Sequence, residues 1–438
     1  MTPDISGTWR GLLDTGAVRA KLAFQLEPGA EVGVAWLATR DQGDIALPPV
    51  HGGDRLAFVA PDFNIVLELA PDPDGAALCG ECRLAGCAFP VRLERGGPAS
   101  EAHAPRPQTP RGPAPYESRP VAFPAADGAR LAGTLTLPDI AAPHAAVILS
   151  TWHGRVDRDQ TTAGHKPFAV WADELSRRGL ATLRFDKRGA GASEGDFHQV
   201  TTADSTDDLA QAVALLRRTP GIDPDRIALF GHSEGGHISA DLAATDPRIA
   251  ACVLLTPSGV PEAEILATDL FRAARAVGGR PLWPERSLQL ALDMSEAGRT
   301  AKTGAEAVAR TRAILAREAK AGRFPAAQIE RRAAMVGSPW WRHWSAYEHV
   351  ASLARLTCPT LAVFAGCDLQ TPPEHHAPKV RAALAGNPRA SVVDLPDLNH
   401  FLQPAITGAH SEYGAIAQTL APAAIDKVCG WLVKTLRP

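Results

Sequence analysis

The segment that most constrains this chain is short, Gly231-His232-Ser233-Glu234-Gly235, and it stands between two different patterns. The apolar run Arg226 to Phe230 precedes it and predicts a buried strand, and a helix is expected from about Gly235. Gly-x-Ser-x-Gly between a strand and a helix is typical of a turn that presents a nucleophilic serine. The helix would also direct its positive N-terminal end toward the site. A glycine-rich turn with an incidental serine is the alternative.

The chain around this motif alternates between apolar runs and amphipathic stretches. Strands are predicted at Ala145 to Ser150, Leu180 to Phe185, Arg226 to Phe230, Ile249 to Leu255, Thr360 to Phe364 and Ala390 to Val393, and helices at Phe168 to Arg178 and Ser205 to Arg217. Apolar strands without polar alternation, interleaved with helices, favour a mostly parallel sheet that helices cover on both faces. The expected fold class is therefore α/β.

The rest of the chain predicts a division into domains. Residues 1–97 contain short alternating runs between turn clusters, which is typical of a small antiparallel β-domain. The predicted runs are Val18 to Leu26, Glu31 to Leu37, Leu56 to Ala60, Ile65 to Leu69 and Phe89 to Leu93. Residues 98–120 carry seven prolines and read as a Pro-rich linker. The α/β catalytic domain is assigned to residues 121–256 and 351–438. The helix-rich insertion at 257–350 leaves a strand on the catalytic side of the sheet and is expected to cover the site as a cap.

Composition narrows the classes of function. With 45 Lys+Arg against 48 Asp+Glu, the 438-residue chain has a net charge of −3 and no basic blocks, which argues against nucleic acid as a partner. No apolar run reaches the roughly 18 residues that a membrane span requires. The start of the chain carries no signal-peptide pattern, and the seven cysteines form no dense framework, so a cytoplasmic location with reduced thiols is expected. The expected partner is a small ester or amide substrate, without a cofactor; a homo-oligomer is left open.

A serine hydroxyl is a weak nucleophile near neutral pH, so Ser233 requires a base and an acid that orients the base. Asp368 follows the predicted strand Thr360 to Phe364, and His400 follows the next strand. Because parallel strands present their C-terminal ends at one edge of the sheet, both side chains are expected beside Ser233. The chain order Ser, Asp, His also fits this kind of site. The predicted catalytic residues are therefore Ser233, Asp368 and His400.

Three neighbouring residues are weaker candidates for these roles. Asp397 is a rival acid, but it lies three residues before His400 and is expected to brace a loop. His232 and His237 are poorer bases, because they lie beside the serine on the same turn and helix and cannot reach back to its hydroxyl.

Two N–H groups are needed to stabilise the oxyanion that forms when a serine attacks a carbonyl. One is the amide of Glu234, the residue after the nucleophile. The other is expected from the loop after the strand Ala145 to Ser150, where His153 and Gly154 are both candidates. Trp152 in the same loop either closes the pocket or shapes it.

Other residues have a functional and a structural interpretation. Trp340 and Trp341 of the insertion are predicted to line the substrate pocket, and packing of the insertion is the alternative. Asp186-Lys187-Arg188-Gly189 predicts a tight loop beside the site, in which a structural ion pair is favoured over catalysis.

Two groups of residues suggest metal ligands, and no metal site is expected from either. Cys79, Cys82 and Cys87 have the spacing C-x₂-C-x₄-C, but no second pair follows them. His375 and His376 are adjacent, so they do not share a helix face, and a solvated helix start is favoured.

From residue ~117 onward, the chain resembles bacterial α/β-hydrolases of the serine-esterase kind, a group that includes EstD-type carboxylesterases and S33 serine aminopeptidases. The residues that carry the resemblance are Asp157-Arg158-Asp159, Gly164 to Phe168, Phe185 to Gly189, Gly231 to Gly236, Asn399-His400-Phe401 and Glu412-Tyr413. Ser6 to Gly11 and Asp41-Gln42-Gly43 also resemble the β-domain that precedes many of these hydrolases. The resemblance implies an α/β-hydrolase fold and a triad of Ser233, Asp368 and His400 that acts on carboxylic esters through an acyl-enzyme. The segment Ser150 to Arg155 departs from the Gly-Ser-Gly-Pro-like stretch of such relatives.

Four functions are therefore open, and an esterase leads. An amide or peptide hydrolase would use the same triad, and an aminopeptidase would need an acid such as Glu262 or Glu264 to bind the substrate ammonium. A binding scaffold without catalysis is disfavoured by the complete triad. A fold recruited for acyl transfer or non-hydrolytic natural-product chemistry stays open because Trp152 and His153 alter the expected oxyanion loop.

Overall fold

The computed structural model describes residues 7–17, 19–26, 32–39, 43–47, 49–50, 56–60, 65–84, 86–96 and 105–437. Parts of the predicted β-domain signature, Ser6 and Asp41-Gln42, lie outside these residues. Contacts divide the chain into two compact units. The first unit comprises Met1–His103, Leu266–Gly337 and Ala409–Ala415, and the second comprises Ala104–Ile265, Ser338–Gly408 and Ile416–Pro438. Of the predicted insertion, residues 266–337 therefore group with the first unit.

The elements are numbered in chain order. The strands are β1 (Gly7–Asp14), β2 (Arg19–Leu26), β3 (Val32–Thr39), β4 (Gly43–Leu47), β5 (Pro49–Val50), β6 (Leu56–Ala60), β7 (Ile65–Pro71), β8 (Ala77–Leu84), β9 (Cys87–Arg95), β10 (Tyr116–Pro124), β11 (Arg130–Pro138), β12 (His144–Ser150), β13 (Ala181–Phe185), β14 (Ile222–His232), β15 (Ile249–Leu255), β16 (Arg280–Pro281), β17 (Thr360–Ala365) and β18 (Ala390–Leu395). The helices are α1 (Pro167–Arg177), α2 (Thr202–Arg218), α3 (Glu234–Ala243), α4 (Glu262–Ala276), α5 (Pro284–Thr300), α6 (Gly304–Lys320), α7 (Ile329–Gly337), α8 (Pro339–Trp344), α9 (Pro373–Leu384) and α10 (Pro422–Thr435). None of these helices, within the described residues, is long and apolar enough to cross a bilayer.

The first unit is built on an antiparallel sheet with the order β4-β3-β2-β1-β9-β8-β7-β6-β5, and β16 pairs with β9. Its strands bury alternate residues: Ile65, Leu67 and Leu69 on β7 point into a core that also contains Trp9 and Phe89. Alternation with a period of two is what a sheet with one covered face requires. The predicted antiparallel β-domain is confirmed. The helices of this unit are α5, α6, α7 and most of α4.

The second unit contains a mixed sheet with the order β10-β11-β13-β12-β14-β15-β17-β18. The pairs β10–β11 and β11–β13 are antiparallel, and all the others are parallel. Every residue of β12 and of β17 is buried. Ile148 packs into one apolar core and Leu149 into another, so both faces of the sheet are covered. The predicted α/β-hydrolase architecture is confirmed.

This sheet brings six segments to one edge. The parallel strands β12, β13, β14, β15, β17 and β18 all end at this edge, and ligand sites of open α/β sheets lie there. In the sheet, β12 lies between β13 and β14, although β13 follows it in the chain. The loops after β13 and β14 therefore flank the loop after β12.

Candidate active site

Ser233 occupies a sharp turn between β14 and α3. Its φ of 56° and ψ of −121° are strained for a residue with a side chain. The two flanking glycines make the turn possible: a Cβ on Gly231 would lie 1.9 Å from the carbonyl oxygen of Gly235, and a Cβ on Gly235 would lie 2.1 Å from the carbonyl oxygen of Ser150. The backbone at the end of β12 therefore packs directly against the turn. Ser233 remains partly exposed.

Asp368 and His400 form a buried hydrogen-bonded pair at the same edge of the sheet. The Nδ1–H of His400 donates to Oδ2 of Asp368 over 2.7 Å, and both residues are almost completely buried. Asp397, the rival acid, is exposed. With its proton on Nδ1, His400 keeps the lone pair of Nε2 available to accept a proton.

Further donors hold the Asp368 carboxylate in place. The backbone N–H groups of Gln370 and Thr371 donate to Oδ1 over 2.8 and 3.0 Å, and the Thr371 hydroxyl donates to Oδ2 over 2.6 Å. Burial opposes ionisation of this group. The charge of His400 and these hydrogen bonds outweigh burial, and the pKa of Asp368 falls to about 2.

His232, the residue before the serine, contacts the loop that carries His400. Its Nε2–H donates to the carbonyl oxygen of His400 over 2.8 Å, and its Nδ1 accepts from the Gln160 amide over 3.0 Å. Burial and the neighbouring His400 ring lower the pKa of His232 to about 3, so the ring is neutral. Trp152 packs edge-on against His232 and Phe401, with ring centroids 5.7 and 4.6 Å apart. His232 thus connects the serine turn to the His400 loop.

Glu234 turns its side chain into a second buried polar cluster. Its Oε2 accepts from Lys187 Nζ over 3.0 Å, and its Oε1 accepts from the hydroxyl of Thr202 and the indole N–H of Trp340, each over 2.7 Å. Burial alone would raise the pKa of this carboxyl. The charge of Lys187 and these hydrogen bonds outweigh burial and lower the pKa of Glu234 to about 2.

The other residues that the sequence assigns to substrate or oxyanion binding lie around this cluster. The exposed His153 ring stacks on the Trp340 indole, with centroids 3.4 Å apart. Gly154 has a φ of 120°, which residues with side chains rarely adopt. Trp341 is only 3% exposed and packs edge-on against Trp340. Trp152 and Gly154 line an open groove of about 520 Å³.

The loop after β13 is fixed on both sides of Lys187. The carboxylate of Asp186 accepts hydrogen bonds from the guanidinium of Arg158, and the guanidinium of Arg188 donates two hydrogen bonds, of 2.8 and 2.6 Å, to Asp208 on α2. Asp186 and Arg188 therefore form the structural ion pairs that the sequence favours. Lys187, between them, extends to Glu234.

A third buried group lies one helical turn beyond the serine. The hydroxyl of Ser258 joins Nε2 of His237 and Nδ1 of His349 over 2.8 and 2.7 Å. Burial lowers the pKa of His237 to about 4 and that of His349 well below its usual value. The group is therefore neutral and packs against Trp344.

The thiols and histidines that were considered as metal ligands do not converge. No group of three or more potential ligands occurs among the described residues. Burial raises the pKa of Cys82 to about 12 and that of Cys87 to about 11, so both are protonated thiols. The prediction of a solvated helix start is wrong for His376. It is buried, and its Nδ1 accepts from the N–H of Gly259 over 2.9 Å; only His375 is exposed.

Sequence reasoning missed the roles of Lys187, Thr202, Thr371 and the carboxylate of Glu234. One signal was available: Lys187 and Glu234 are opposite charges that immediately follow the ends of two parallel strands. Their pairing depends on the order of strands in the sheet, which the chain order does not reveal.

The sequence of this chain matches that of a known protein family. The sequence profile of the family described as serine aminopeptidase, S33, matches residues 165–402, more than half of the chain. The chain belongs to this family of α/β-hydrolases. The matched segment contains Ser233, Asp368 and His400, and the predicted resemblance is confirmed.

Several known proteins are similar to this S33 hydrolase. The esterase EstD of Thermotoga maritima is 25% identical over 313 residues, which cover 69% of this chain and 66% of EstD. The thiohydrolase aneE of Aspergillus aculeatus is 33% identical over 139 residues, which cover 31% of this chain and 41% of aneE. The crystal structure of the α/β-hydrolase GrgF from Penicillium sp. sh18 matches with a TM-score of 0.44 at 18% identity, covering 73% of this chain and 98% of GrgF. In eight of the curated relatives that match, the chain spans 40% to 68% of the relative's length.

Proposed function

We propose that this S33 hydrolase is a serine esterase that cleaves carboxylic esters through an acyl-enzyme. Ser233 is the nucleophile, His400 the general base and Asp368 the acid that orients the base. The observation that carries the proposal is the position of the Asp368–His400 pair beside the strained turn. His232, adjacent to Ser233, holds the backbone of His400 through a hydrogen bond of 2.8 Å.

In the first half of the reaction, the Oγ of Ser233 attacks the ester carbonyl while Nε2 of His400 accepts its proton. The buried Asp368 carboxylate stabilises the imidazolium that forms. The tetrahedral intermediate then collapses, His400 returns the proton to the departing alkoxide, and an acyl-Ser233 ester and a free alcohol result. In the second half, His400 activates a water molecule that attacks this acyl group and releases the carboxylic acid.

The oxyanion of each tetrahedral intermediate requires preorganised donors. The amide of Glu234 is the first, because it follows the nucleophile at the N-terminus of α3. The loop after β12 supplies the second, from His153 or Gly154. Its contact with the turn at Gly235 keeps this loop close to the serine.

The hydrogen bonds of the Glu234 carboxylate support an ester rather than a peptide substrate. An aminopeptidase must bind the ammonium of its substrate, and Glu234 is bound by Lys187, Thr202 and Trp340. The cavity beside this cluster measures about 20 Å³, enough for about one water molecule. Glu264 is exposed on α4, and the side chain of Glu262 lies outside the described residues.

A thioester is the second candidate substrate. The similarity to the thiohydrolase aneE favours it, and the same triad serves, because a thiolate leaves the tetrahedral intermediate more readily than an amine does. Turnover of p-nitrophenyl esters, acyl thioesters and aminoacyl-anilides of matched acyl length would separate the three substrate classes.

The nucleophile is tested by labelling with a fluorophosphonate probe and by the Ser233→Ala variant. We expect the probe to modify Ser233 and the variant to lose about 10⁴- to 10⁶-fold in kcat while remaining folded. The exposed Ser391→Ala is the matched control and should keep both labelling and turnover. Normal turnover by folded Ser233→Ala would overturn the proposal.

A further inference from the structure

The ion pair between Lys187 and Glu234 spans the end of a strand to which neither residue belongs. Lys187 follows β13 and Glu234 follows β14, and β12 lies between these strands in the sheet. The pair therefore passes the loop that begins at Thr151, from which the second oxyanion donor is expected. Both side chains are largely buried, Lys187 at 12% and Glu234 at 2% exposure.

Lys187 makes a further contact with this loop. Its ammonium donates to the carbonyl oxygen of Trp152 over 2.9 Å, in addition to the 3.0 Å bond to Glu234. The ammonium thus connects the side chain of the residue after the nucleophile to the main chain of the oxyanion loop.

The direction of this carbonyl determines the direction of the next amide. The peptide bond between Trp152 and His153 is trans, so its N–H points opposite to its C=O. Because the C=O points toward Lys187, the N–H of His153 points away from it. In the part of the chain that the structure describes, neither this N–H nor the N–H of Glu234 has a hydrogen-bond acceptor.

We propose that Lys187 is a positioning residue for the oxyanion-binding peptide. With Glu234, it fixes the Trp152–His153 peptide so that the amide of His153 joins the amide of Glu234 as the second donor. The inference rests on the proposed serine-esterase function and resolves its choice between His153 and Gly154. It also gives the Glu234 carboxylate a role that is separate from that of its amide.

Electrostatics explains why an ion pair between Lys187 and Glu234 holds this peptide. A lone carboxylate on the residue that binds the oxyanion would oppose the negative charge that develops there. The ammonium of Lys187 neutralises this carboxylate, and Thr202 and Trp340 hold its other oxygen. A buried pair retains its charge only when such additional hydrogen bonds satisfy it.

Lys187 itself has a rigid base. The Asp186–Arg158 and Arg188–Asp208 ion pairs fix the main chain on either side of it. The position of the ammonium is therefore set by the sheet and by α2, not by the flexibility of a surface loop. A donor that must be placed within a fraction of an ångström benefits from such support.

The competing explanation is that the pair only stabilises the fold. Steady-state kinetics on an ester, combined with inhibition by a trifluoromethyl ketone that forms a hemiketal oxyanion on a nucleophilic serine, distinguishes the two. We expect Lys187→Met to lower kcat about 10- to 100-fold with KM within about 3-fold, because only the transition state carries the oxyanion. The Ki for the ketone should rise by the same factor by which kcat/KM falls.

A matched control is available in the first unit. Glu318 is also a buried carboxylate, held by Arg286 and Arg323, and its pKa is likewise lowered to about 2. Glu318→Gln should lower the melting temperature and leave kcat/KM and the Ki unchanged. If kcat/KM fell as much in Glu318→Gln as in Lys187→Met, the loss of activity in both variants would result from lower stability. This outcome would overturn the inference.

The double variant Lys187→Met/Glu234→Gln keeps the test decisive if Lys187→Met does not fold. It removes both charges, and the glutamine oxygen can still accept from Thr202 and Trp340, so stability should recover. Activity should stay about 10- to 100-fold low, because the Trp152 carbonyl has lost its donor. Recovery of activity together with stability would overturn the inference. If the wild-type protein neither turns over esters nor reacts with fluorophosphonate, the proposed function fails instead.

Discussion

Two buried carboxylates flank Ser233, and they differ in the partner that each one has. Asp368 pairs with the imidazole of His400, and Glu234 pairs with the ammonium of Lys187. Both carboxylates are almost completely buried, and the pKa of each is lowered to about 2. An imidazole exchanges its proton near neutral pH, whereas an ammonium stays charged. Similar burial and similar hydrogen bonding thus produce one pair suited to proton transfer and one suited to a fixed electrostatic field.

The comparison shows that a perturbed pKa does not by itself identify a catalytic residue. On that criterion alone, Asp368, Glu234 and Glu318 of the first unit are equivalent. What separates them is the chemistry of the partner, since Asp368 pairs with an imidazole, Glu234 with an ammonium and Glu318 with two guanidinium groups.

The largest effect is expected from the acid of the proton-transfer pair. Asp368→Asn should lower kcat by about 10⁴-fold, because an amide N–H in place of the carboxylate favours the wrong tautomer of His400. The exposed Asp397→Asn is the matched control and should change kcat less than about 2-fold. Steady-state kinetics on a p-nitrophenyl ester provides the measurement. A large loss of kcat in Asp397→Asn with little change in Asp368→Asn would show that Asp397, not Asp368, orients His400.

The two carboxylates should act alike on acid stability, although they differ in catalysis. A folded-state pKa of about 2, against about 4.3 for an unfolded glutamate, means that the unfolded chain binds the proton first as the pH falls. The stabilisation by Glu234, about 3 kcal/mol, is therefore present above pH ~4.3 and is lost as the pH falls toward ~2. Glu234→Gln should flatten the dependence of the unfolding free energy on pH in this window.

Denaturant titrations at several pH values would measure this slope. Asp368→Asn should flatten it in the same direction, since its pKa is lowered by comparable contacts. An unchanged slope in both variants would show that neither carboxylate has a lower pKa in the folded protein than in the unfolded chain. The contacts with Lys187 and His400 would then not outweigh the cost of burial.

A smaller effect is expected from His232, which connects the serine turn to the His400 loop. His232→Phe keeps a ring beside Trp152 and removes the donor to the carbonyl of His400. We expect a loss of about 10-fold in kcat, because the base is less well positioned. His232→Gln, which can restore an N–H donor, should recover part of this loss. Equal activity of His232→Phe and the wild type would limit His232 to packing.

Sequence could predict those features of this molecule that depend only on where a single strand begins and ends. Ser233 and Asp368 each follow a buried strand end, and His400 follows the partly exposed edge strand β18, so their placement at one edge required only that these strands be parallel. The Lys187–Glu234 pair required the order β13-β12-β14, which is a property of the assembled sheet. In the first unit, the predicted run Leu56 to Ala60 matches β6, because all its residues are apolar and Phe58 and Val59 favour strands.

Strands with mixed composition were missed. β8 carries Gly80, Glu81 and Arg83 among its apolar residues, and its pairing with β7 and β9 compensates for its weak intrinsic preference. A Cβ on Gly80 would lie 1.9 Å from the carbonyl oxygen of Glu68, so the neighbouring strand requires a residue that sequence rules count against a strand.

The smallest effect is expected from Trp340, which touches both the electrostatic cluster and the predicted pocket. Trp340→Phe removes only the indole N–H that donates to Glu234, and Thr202 still donates to the same oxygen, so kcat should fall only about 3-fold. Trp340→Ala also removes the surface on which His153 stacks, and it should change the ratio of kcat/KM between short and long acyl esters.

Trp341→Ala is the control for packing. The Trp341 side chain is 3% exposed, so the cavity left by its removal should lower the melting temperature more than it changes this ratio. If Trp340→Ala changed only the melting temperature and left the acyl-length ratio intact, Trp340 would belong with Trp341 as packing, and the choice of acyl chain would have to be made elsewhere, for example along the groove beside Trp152.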